Sequence, residues 1–440
     1  MPRLRSCFLV TALSLAAASA AAGPDPTAAD AAVREFVARQ GIPAAHVTIL
    51  KGESVVLQRG YTASGAGSRT PDTRSIFPLG SISKQFTAAL LLALSDRGKV
   101  SLDAPVGRYL PEWFTDEPEL RVEHLLWQTS GLADFLWLDG YRKLADDAAT
   151  SLAAYIALGA SEPRRFAPGT RWAYSNTNYK ALALIAERVG GRPFDVLLAD
   201  YVLQPLGIDG IGPCHDLDAG DYVPGISQEG RPAPLDASRA AYAGDGGLCG
   251  NATALARWID QAFISHDGRP AAWSRLLQPA RLRDGTVVPY GYGVSMRPFL
   301  GHDLIWHGGN VDSHSSMIAL LPQEDLRIVI LLARGFLWPT DVMPALVGAS
   351  PPRPVASAAR KLSGRFEDGL FEYRITPDGS ALQVAIDLLG TMRFVPTAAG
   401  EFVAEDRPAT FRLRMAPVDR QDSFEFEWGE VRSYARRVAD

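Results

Sequence analysis

Ser81 and Lys84 are the two residues of this chain whose types and spacing first suggest chemistry. Residues three apart at the start of a helix lie on the same side of it, so the two side chains can meet. A lysine beside a serine hydroxyl can help to remove its proton, provided that its surroundings lower the lysine pKa. Alone, Ser-x-x-Lys is a weak signal, because short motifs recur by chance and two exposed helix residues would satisfy it equally well.

The residues around this pair favour a buried helix that begins at a turn. Gly80 precedes the serine and allows a sharp entry without steric cost. Residues 85–95 are almost entirely apolar, which predicts a helix buried on nearly every face, and Gly98 is a suitable cap for its C-terminus. Ser81 would then lie where a buried helix meets a cavity, beside helix N–H groups and the positive end of the helix dipole.

Two further fragments, Tyr174-Ser175-Asn176 and His307-Gly308-Gly309, follow the serine in an order that resembles a known superfamily. The set is similar to the serine β-lactamases and penicillin-binding proteins, most of all to the class C-like serine hydrolases. The resemblance covers roughly residues 26–348. It extends to four more segments: Leu125-Leu126-Trp127-Gln128-Thr129-Ser130-Gly131-Leu132, Phe166-Ala167-Pro168-Gly169-Thr170, Ala243-Gly244-Asp245-Gly246-Gly247-Leu248 and Tyr290-Gly291-Tyr292-Gly293.

This resemblance implies an acyl-enzyme mechanism. Ser81 would be the nucleophile, with Lys84 beside it and Tyr174 as the candidate acid and base. A nearby Lys84 ammonium would favour the phenolate of Tyr174. Whether lysine or tyrosine is the base stays open, and the two should titrate as a coupled unit.

Asn176 and Asn310 are expected to bind the substrate. The Asn176 amide would hold a substrate carbonyl or amide, and the same residue could also be the N-cap of the helix that follows, since the two roles are compatible. The backbone N–H groups of Asn310 and Ser81 would form the oxyanion hole.

His307 stands where β-lactamases and carboxypeptidases usually carry the lysine of Lys-Thr-Gly. A lysine is a permanent cation that can hold a substrate carboxylate, whereas a histidine with a pKa near ~6.5 is mostly neutral at pH 7. Relatives with His-x-Gly include D-aminopeptidase-like and esterase-like enzymes, so the expected substrate lacks a carboxylate at that end. Gly308 and Gly309 would let it lie against an edge strand.

Two aromatic segments near these motifs have less definite roles. Trp127-Gln128 departs from relatives that carry a histidine before Thr-Ser-Gly, and we interpret this segment as structural. Residues 135–138 could form an apolar lip of the pocket or an internal core.

Composition sets limits on the class of protein. A chain of 440 residues favours two domains, and a hydrophobic content of 47% is typical of a globular protein with a sizeable core. A net charge of −5 argues against nucleic-acid partners and against a polybasic membrane surface. The motifs include no zinc signature, so no cofactor is predicted, and the expected partner is a small-molecule or peptide substrate. The sequence leaves the oligomeric state open.

The N-terminus predicts export. Arg3 and Arg5 precede an apolar stretch and small-residue cleavage sites, so residues 1–22 are expected to be a signal peptide that leaves no stable membrane insertion. A bacterial periplasmic or secreted location follows. Cys214 and Cys249 would remain, either paired in a disulfide or as two buried thiols.

The order of predicted elements indicates an α+β fold. Strands at residues 45–50, 54–60, 292–297, 304–306, 316–321 and 327–332 flank a mainly helical middle region, with clear helices at 27–40, 176–189 and 252–263. We therefore expect a β-lactamase-like, mainly antiparallel sheet with a flanking helical region in residues 23–348. After a Pro-rich linker at 349–360, alternating residues in 361–440 predict a small C-terminal all-β domain, a barrel or sandwich that resembles lipocalin-like domains.

These expectations converge on a secreted serine hydrolase that cleaves D-amino-acid peptides or small esters. A β-lactamase or a DD-carboxypeptidase is the first alternative, and it is weakened by His307. A sensor module that binds penicillin-like molecules without turnover is the second, and it conflicts with a complete set of catalytic residue types. An α/β-hydrolase is disfavoured because no Gly-x-Ser-x-Gly elbow occurs.

Overall fold

The computed structural model describes residues 24–63, 69–145, 147, 150–214, 216–217, 220–233, 243–264, 273–300, 302–349, 362–367, 372–386, 390–397, 401–405, 411–415, 423–428 and 431–438. The helices are α1 Pro26–Arg39, α2 Ser83–Asp96, α3 Pro111–Phe114, α4 Val122–Leu126, α5 Tyr141–Ala145, α6 Leu152–Ala160, α7 Asn176–Gly190, α8 Phe194–Leu198, α9 Ala252–Phe263 and α10 Met343–Leu346. Short 3-10 segments cover Gly80–Ile82, Val106–Arg108, Phe135–Trp137, Gln204–Leu206, Ser274–Leu277 and Pro339–Asp341, and Ala199–Leu203 is a π-helix.

Five antiparallel strands from both ends of the hydrolase-like region form its main sheet, in the order Ile305–Val311 (β10), His314–Leu321 (β11), Leu326–Leu332 (β12), Ala45–Lys51 (β1) and Ser54–Tyr61 (β2). Short strands between them build two hairpins and a three-stranded sheet in the order Phe77–Pro78 (β3), Leu248–Gly250 (β7) and Ile211–Pro213 (β4). The strands before the barrel are β1 Ala45–Lys51, β2 Ser54–Tyr61, β3 Phe77–Pro78, β4 Ile211–Pro213, β5 Gly225–Ile226, β6 Pro232–Ala233, β7 Leu248–Gly250, β8 Ala280–Arg281, β9 Val287–Val288, β10 Ile305–Val311, β11 His314–Leu321 and β12 Leu326–Leu332. The mixed α and antiparallel β architecture confirms the predicted fold class.

Alternate residues of the central strands enter two separate cores. Ile318 and Val329 face the core that contains α2, α7 and α9, whereas Met317 and Ile328 face the core under α1 and α10. This period of two is the geometry of a strand buried on both faces. Helix α2 is buried from Ser83 to Leu94, as its apolar sequence predicts.

The C-terminal strands close into an eight-stranded antiparallel barrel, in which the last strand pairs with the first. They are β13 Gly364–Glu367, β14 Glu372–Asp378, β15 Ala381–Ile386, β16 Gly390–Pro396, β17 Phe402–Ala404, β18 Phe411–Met415, β19 Ser423–Trp428 and β20 Val431–Arg437. Aromatic side chains including Phe366, Tyr373 and Phe424 fill its interior. Eight strands leave an interior about wide enough for side chains, so this barrel is packed by its own residues.

One predicted strand is wrong. Residues 292–297 form no strand, and Ser295 makes only isolated bridges to Tyr290 and Trp306. The reason is Gly293, whose φ of +73° turns the chain against α2, where an added Cβ would lie 2.8 Å from the Lys84 carbonyl carbon. The backbone serves that close approach and cannot continue as a strand.

The predicted signal peptide and all of the predicted linker except Ala349 lie outside the described residues, so these boundaries stay predictions. No helix in the part of the chain that the structure describes combines the length and the apolar content that crossing a membrane requires.

Candidate active site

Ser81 enters the site on the 3-10 turn that precedes α2. Gly80 has a φ of +51°, and a Cβ there would lie 2.7 Å from the Asn310 backbone nitrogen. Only a glycine therefore lets the chain turn into α2 while its backbone lies against the edge strand β10. The α-helix itself begins at Ser83, so the serine is held by the tighter 3-10 turn.

Three oxygen atoms surround the Lys84 side-chain nitrogen, which is fully buried. Nζ lies 2.9 Å from Ser81 Oγ, 2.7 Å from Asn176 Oδ1 and 2.8 Å from the Asp245 carbonyl oxygen. The amide oxygen and the carbonyl oxygen only accept hydrogen bonds, so each takes one Nζ hydrogen. In the contact with Ser81, by contrast, the proton between the two atoms can belong either to Lys84 Nζ or to Ser81 Oγ.

Tyr174 covers this cluster from the side. The Lys84 ammonium lies 4.9 Å from the centre of the Tyr174 ring and 5.6 Å from that of Tyr179. At these distances, aromatic faces stabilise a cation. The structure thus brings together the serine, the lysine and the tyrosine that the sequence singled out.

Asn176 has a fixed amide orientation, because its two neighbours require opposite atoms. Lys84 donates to Oδ1, and Asn176 Nδ2 donates to Asp134 Oδ2 at 2.8 Å. The additional role as a helix N-cap is wrong, since Ser175 occupies that position and Asn176 is the first residue of α7. An amide nitrogen carries two hydrogens, so one is left for a substrate carbonyl.

Asp134 is a buried carboxyl behind Asn176 that sequence reasoning missed. It also accepts a hydrogen bond from the Leu136 N–H at 3.2 Å. Burial raises its pKa, and the Lys84 charge acts in the opposite direction. The segment that carries it is tied to α7 elsewhere, because Gln128 Oε1 accepts from the Ser175 N–H at 3.0 Å.

His307 is a buried, neutral imidazole. Nδ1 lies 2.6 Å from its neighbour's carbonyl, Gly308 O, so Nδ1 carries the hydrogen, and Nε2 then accepts from the Tyr290 hydroxyl at 3.1 Å. Burial, together with the nearby Lys84 charge, lowers the pKa of His307 to about 3. The position therefore offers no positive charge at neutral pH.

The Gly-Gly pair brings β10 against the turn before the serine. A Cβ on Gly309 would lie 1.9 Å from the Leu79 carbonyl oxygen, so the two backbones are in direct contact. Ser315 Oγ donates to Asn310 Oδ1 at 2.7 Å, which anchors that side chain on the neighbouring strand. Gly308 follows His307 in the same edge strand and is also buried.

The aromatic segments near the site have separate placements. Phe135 is buried and packs on Tyr155, whereas Trp137 is exposed, so residues 135–138 contribute to the core at one end only. Trp172 contacts Tyr174 and Tyr290 and lies under the guanidinium of Arg297, 5.8 Å from its ring centre. The position of this buried arginine beside the three aromatic rings could not be predicted from the sequence.

Cys214 and Cys249 form a disulfide. Cys249 lies on β7, which pairs with β4 on one side and with β3 on the other. The chain passes from the end of β3 to Gly80 and Ser81. The described residues contain no cluster of three histidine, cysteine or acidic side chains that could hold a metal.

Comparison with known proteins places these features in a family. The family model described as Beta-lactamase matches residues 29–346. A D-aminopeptidase of Gluconobacter oxydans is 29% identical over 317 residues, 69% of this chain and 58% of that protein. A D-aminopeptidase of a Brucella anthropi strain is 30% identical over 291 residues, 65% of this chain and 55% of its own length. The chain thus spans little more than half the length of the curated relatives it matches.

Solved structures share the fold. An octameric penicillin-binding protein homologue from Pyrococcus abyssi aligns with a TM-score of 0.63 at 21% identity, over 93% of this chain and 100% of that one. A D-stereospecific amidohydrolase from Streptomyces sp. aligns with a TM-score of 0.59 at 21% identity, over 74% of this chain and 100% of that one.

Proposed function

The chain belongs to the beta-lactamase family, its matches indicate a serine hydrolase, and we propose that it hydrolyses amide or ester bonds of D-amino-acid derivatives through a Ser81 acyl-enzyme. The observation that carries the proposal is the position of Lys84 Nζ, in contact with Ser81 Oγ and held by two carbonyl-type acceptors. The D-aminopeptidase relatives supply the substrate class.

The reaction begins when Lys84, as the neutral amine, takes the Ser81 proton. The two hydrogens of the Lys84 amine remain hydrogen-bonded to Asn176 Oδ1 and to the Asp245 carbonyl oxygen. The nitrogen lone pair therefore points at Ser81 Oγ without any rearrangement. Ser81 Oγ then attacks the substrate carbonyl, and the backbone N–H groups of Ser81 and Asn310 hold the oxyanion.

Collapse of the tetrahedral intermediate breaks the bond to the leaving group. The leaving amine or alcohol takes up the proton through Tyr174, whose ring lies beside the Lys84 nitrogen. A water molecule then attacks the acyl-enzyme, and the same groups return the proton to Ser81. Lys84 and Tyr174 therefore act as one acid-base unit.

Neutral His307 favours substrates without a carboxylate next to the scissile bond. A β-lactamase or DD-carboxypeptidase needs a cation for that carboxylate, and this position supplies none at neutral pH. D-Aminoacyl amides and small esters meet the requirement, and they agree with the names of the D-aminopeptidase relatives.

The compartment belongs to the same proposal. The charged and apolar pattern of residues 1–22 favours export to a periplasm or the exterior. The Cys214–Cys249 disulfide supports an oxidising compartment.

A substrate panel on one preparation tests the function. We expect D-alanyl p-nitroanilide and p-nitrophenyl acetate to be hydrolysed, and the L-alanyl isomer, D-Ala-D-Ala peptides and nitrocefin to be turned over far more slowly. Ser81→Ala should abolish every activity, and a fluorophosphonate should label Ser81 in the wild-type protein. An adduct on another serine, or an active Ser81→Ala variant, would refute the assignment.

A further inference from the structure

We propose that Lys180 and Asp245 form a buried positioning pair, which holds the Lys84 amine against Ser81 and adds no net charge beside it. The inference rests on the proposed function, because it concerns how the acid-base group of that reaction is held. Nothing in the motifs predicts a role for Lys180, which lies six residues after Tyr174 in the buried part of α7.

Asp245 binds both lysines. Its carbonyl oxygen accepts from Lys84 Nζ at 2.8 Å, and its carboxylate lies 2.8 Å from Lys180 Nζ. The Lys180 side chain is 0% exposed and that of Asp245 is 10% exposed, so this ion pair is shielded from water. Any shift of Asp245 toward or away from Lys180 also moves the acceptor of Lys84.

Helix α7 supplies two consecutive contacts to this arrangement. Asn176 and Lys180 are four residues apart, so they project from the same face of the helix. Asn176 holds Lys84 directly, and Lys180 holds it through Asp245. The helix therefore positions two of the three acceptors around Nζ.

The turn that carries Asp245 is confined by backbone contacts on both sides. A Cβ on Gly244 would lie 2.3 Å from the Tyr179 carbonyl oxygen of α7. From the other side, Thr87 Oγ1 of α2 donates to the Gly244 carbonyl at 2.6 Å. The ion pair adds the side-chain contact that fixes the direction of the Asp245 carbonyl within this narrow space.

Charge balance is the second consequence. Among the described residues, the titratable groups near Lys84 include Tyr174, Tyr179, His307 and Asp134, and Asp245 links Lys84 to Lys180. Lys180 itself is also enclosed by the rings of Tyr155 and Phe135, at 5.0 and 5.7 Å. Two lysines and two carboxyl groups, those of Lys84, Lys180, Asp134 and Asp245, are buried together, so removal of one member of the Lys180–Asp245 pair changes the net charge near Lys84 by one unit.

The two single substitutions should therefore have opposite effects. In Lys180→Met, the lone Asp245 carboxylate favours the charged form of Lys84, so the acid limb of the pH–rate profile moves to higher pH. In Asp245→Asn, the Asp245 carboxylate no longer offsets the Lys180 ammonium, which disfavours that form of Lys84, and the limb moves to lower pH. By Coulomb's law, a unit charge within about 10 Å in a medium of effective dielectric constant about 20 shifts a pKa by on the order of one unit.

The experiment measures the rate at which a fluorophosphonate labels Ser81 between pH 5 and 9, in the full chain. We expect the midpoint to rise by about half a unit or more in Lys180→Met and to fall by a similar amount in Asp245→Asn. The double variant Lys180→Met/Asp245→Asn should recover the wild-type midpoint but label roughly ten-fold more slowly, because the Asp245 carbonyl is no longer held.

A second ion pair provides the matched control. Arg327, at the start of β12, and Asp260 of α9 are 2.8 Å apart and partly buried, and Arg327 lies at the end of β12 away from the site. Arg327→Met/Asp260→Asn should lower thermal stability and leave the labelling profile unchanged. If the single variants at the site fail to fold, a ten-fold slower double variant beside an unaffected control pair still supports the proposal.

The possible failures are distinguishable. Wild-type protein whose Ser81 resists the fluorophosphonate would refute the proposed function, and the inference with it. Normal labelling of Ser81 with wild-type midpoints and rates in all the Lys180 and Asp245 variants would overturn the positioning role alone.

Discussion

At the scale of single residues, position 307 distinguishes this site from one that binds a substrate carboxylate, because it carries a histidine in place of a lysine. In the His307 imidazole, Nδ1 donates a hydrogen bond to a backbone carbonyl and Nε2 accepts one from the Tyr290 hydroxyl. Both nitrogens are therefore used inside the protein, and the low pKa keeps the ring neutral. His307 is suited to shape this wall of the site and supplies no charge to it.

Lys84 and Tyr174 should lose their effect together. We expect Lys84→Ala and Tyr174→Phe each to lower kcat at least ~10²-fold with the thermal midpoint preserved, because both groups move the same proton. The double variant should lose much less than the product of the two factors, since residues that act as a unit are not additive. Fully multiplicative losses, measured in a double-mutant cycle, would show that they do not share a proton-transfer step.

His307→Lys should change the choice of substrate. The wild-type enzyme is expected to prefer esters and amides without a terminal carboxylate, and a permanent ammonium at position 307 should narrow or reverse this preference. The measurement is the ratio of kcat/KM for matched substrates with and without the carboxylate, and the new preference should weaken with added salt if the site is open to solvent. A wild-type preference for D-Ala-D-Ala substrates would contradict the prediction and would turn attention to Arg297 as the anchoring cation.

At the scale of elements, the site depends on how closely β10 approaches the turn that carries Ser81. Gly309→Ala should lower kcat at least ~10-fold, because its Cβ would meet the Leu79 carbonyl oxygen at 1.9 Å and push the edge strand away from the oxyanion position. Gly212→Ala is the control, since a Cβ there makes only an ordinary contact at 3.7 Å. Equal activity in the two variants would mean that the approach of β10 is not needed.

Elements with a strong local pattern could be predicted from the sequence. Helix α9 has the predicted bounds, and α1, α7, β1 and β2 agree within about two residues, because their apolar periodicity matches their burial. The region around Gly293 could not be predicted in this way, because its conformation follows from a contact with α2.

The residues that hold Lys84 and Asn176 in place were not predicted, for a similar reason. Asp134, Lys180 and Asp245 are brought together by contacts between distant segments, and no local spacing reports such contacts. One signal was nevertheless present: Lys180 is a charged residue in a helix whose neighbours Tyr179 and Ala181 are apolar. A lysine in a buried helix needs a partner, so it marks a place to look.

At the scale of the whole molecule, the barrel has a core of its own and also touches the hydrolase-like region. Trp338, which follows β12, packs edge-on against Phe411 of β18, with ring centres 5.7 Å apart. The same tryptophan contacts the aromatic core of the barrel. This ring contact joins the barrel to the segment that follows β12, and described side chains of the barrel fill its interior.

The last prediction concerns stability against acid, which the buried histidines should control. Burial lowers the pKa of His307 to about 3 and those of His124 and His314 to about 4, from an unfolded value of 6.5, and lowers that of His46 as well. Between pH 6.5 and about 4, the unfolded chain therefore binds protons that the folded protein excludes, so folding stability must fall as the pH falls through this window. Each such histidine contributes a slope of up to ~1.4 kcal/mol per pH unit. Asp134 and Glu123, whose pKa values burial raises, oppose this trend but are outnumbered.

Chemical denaturation measured from pH 7.5 to 5 should show a steady loss of folding stability. His314→Gln should reduce the slope of stability against pH by up to ~1.4 kcal/mol per pH unit, the contribution of one proton. A glutamine can replace the two hydrogen bonds of the ring without titrating. Stability that is flat over this range, or an unchanged slope in His314→Gln, would mean that these imidazoles accept protons in the folded protein.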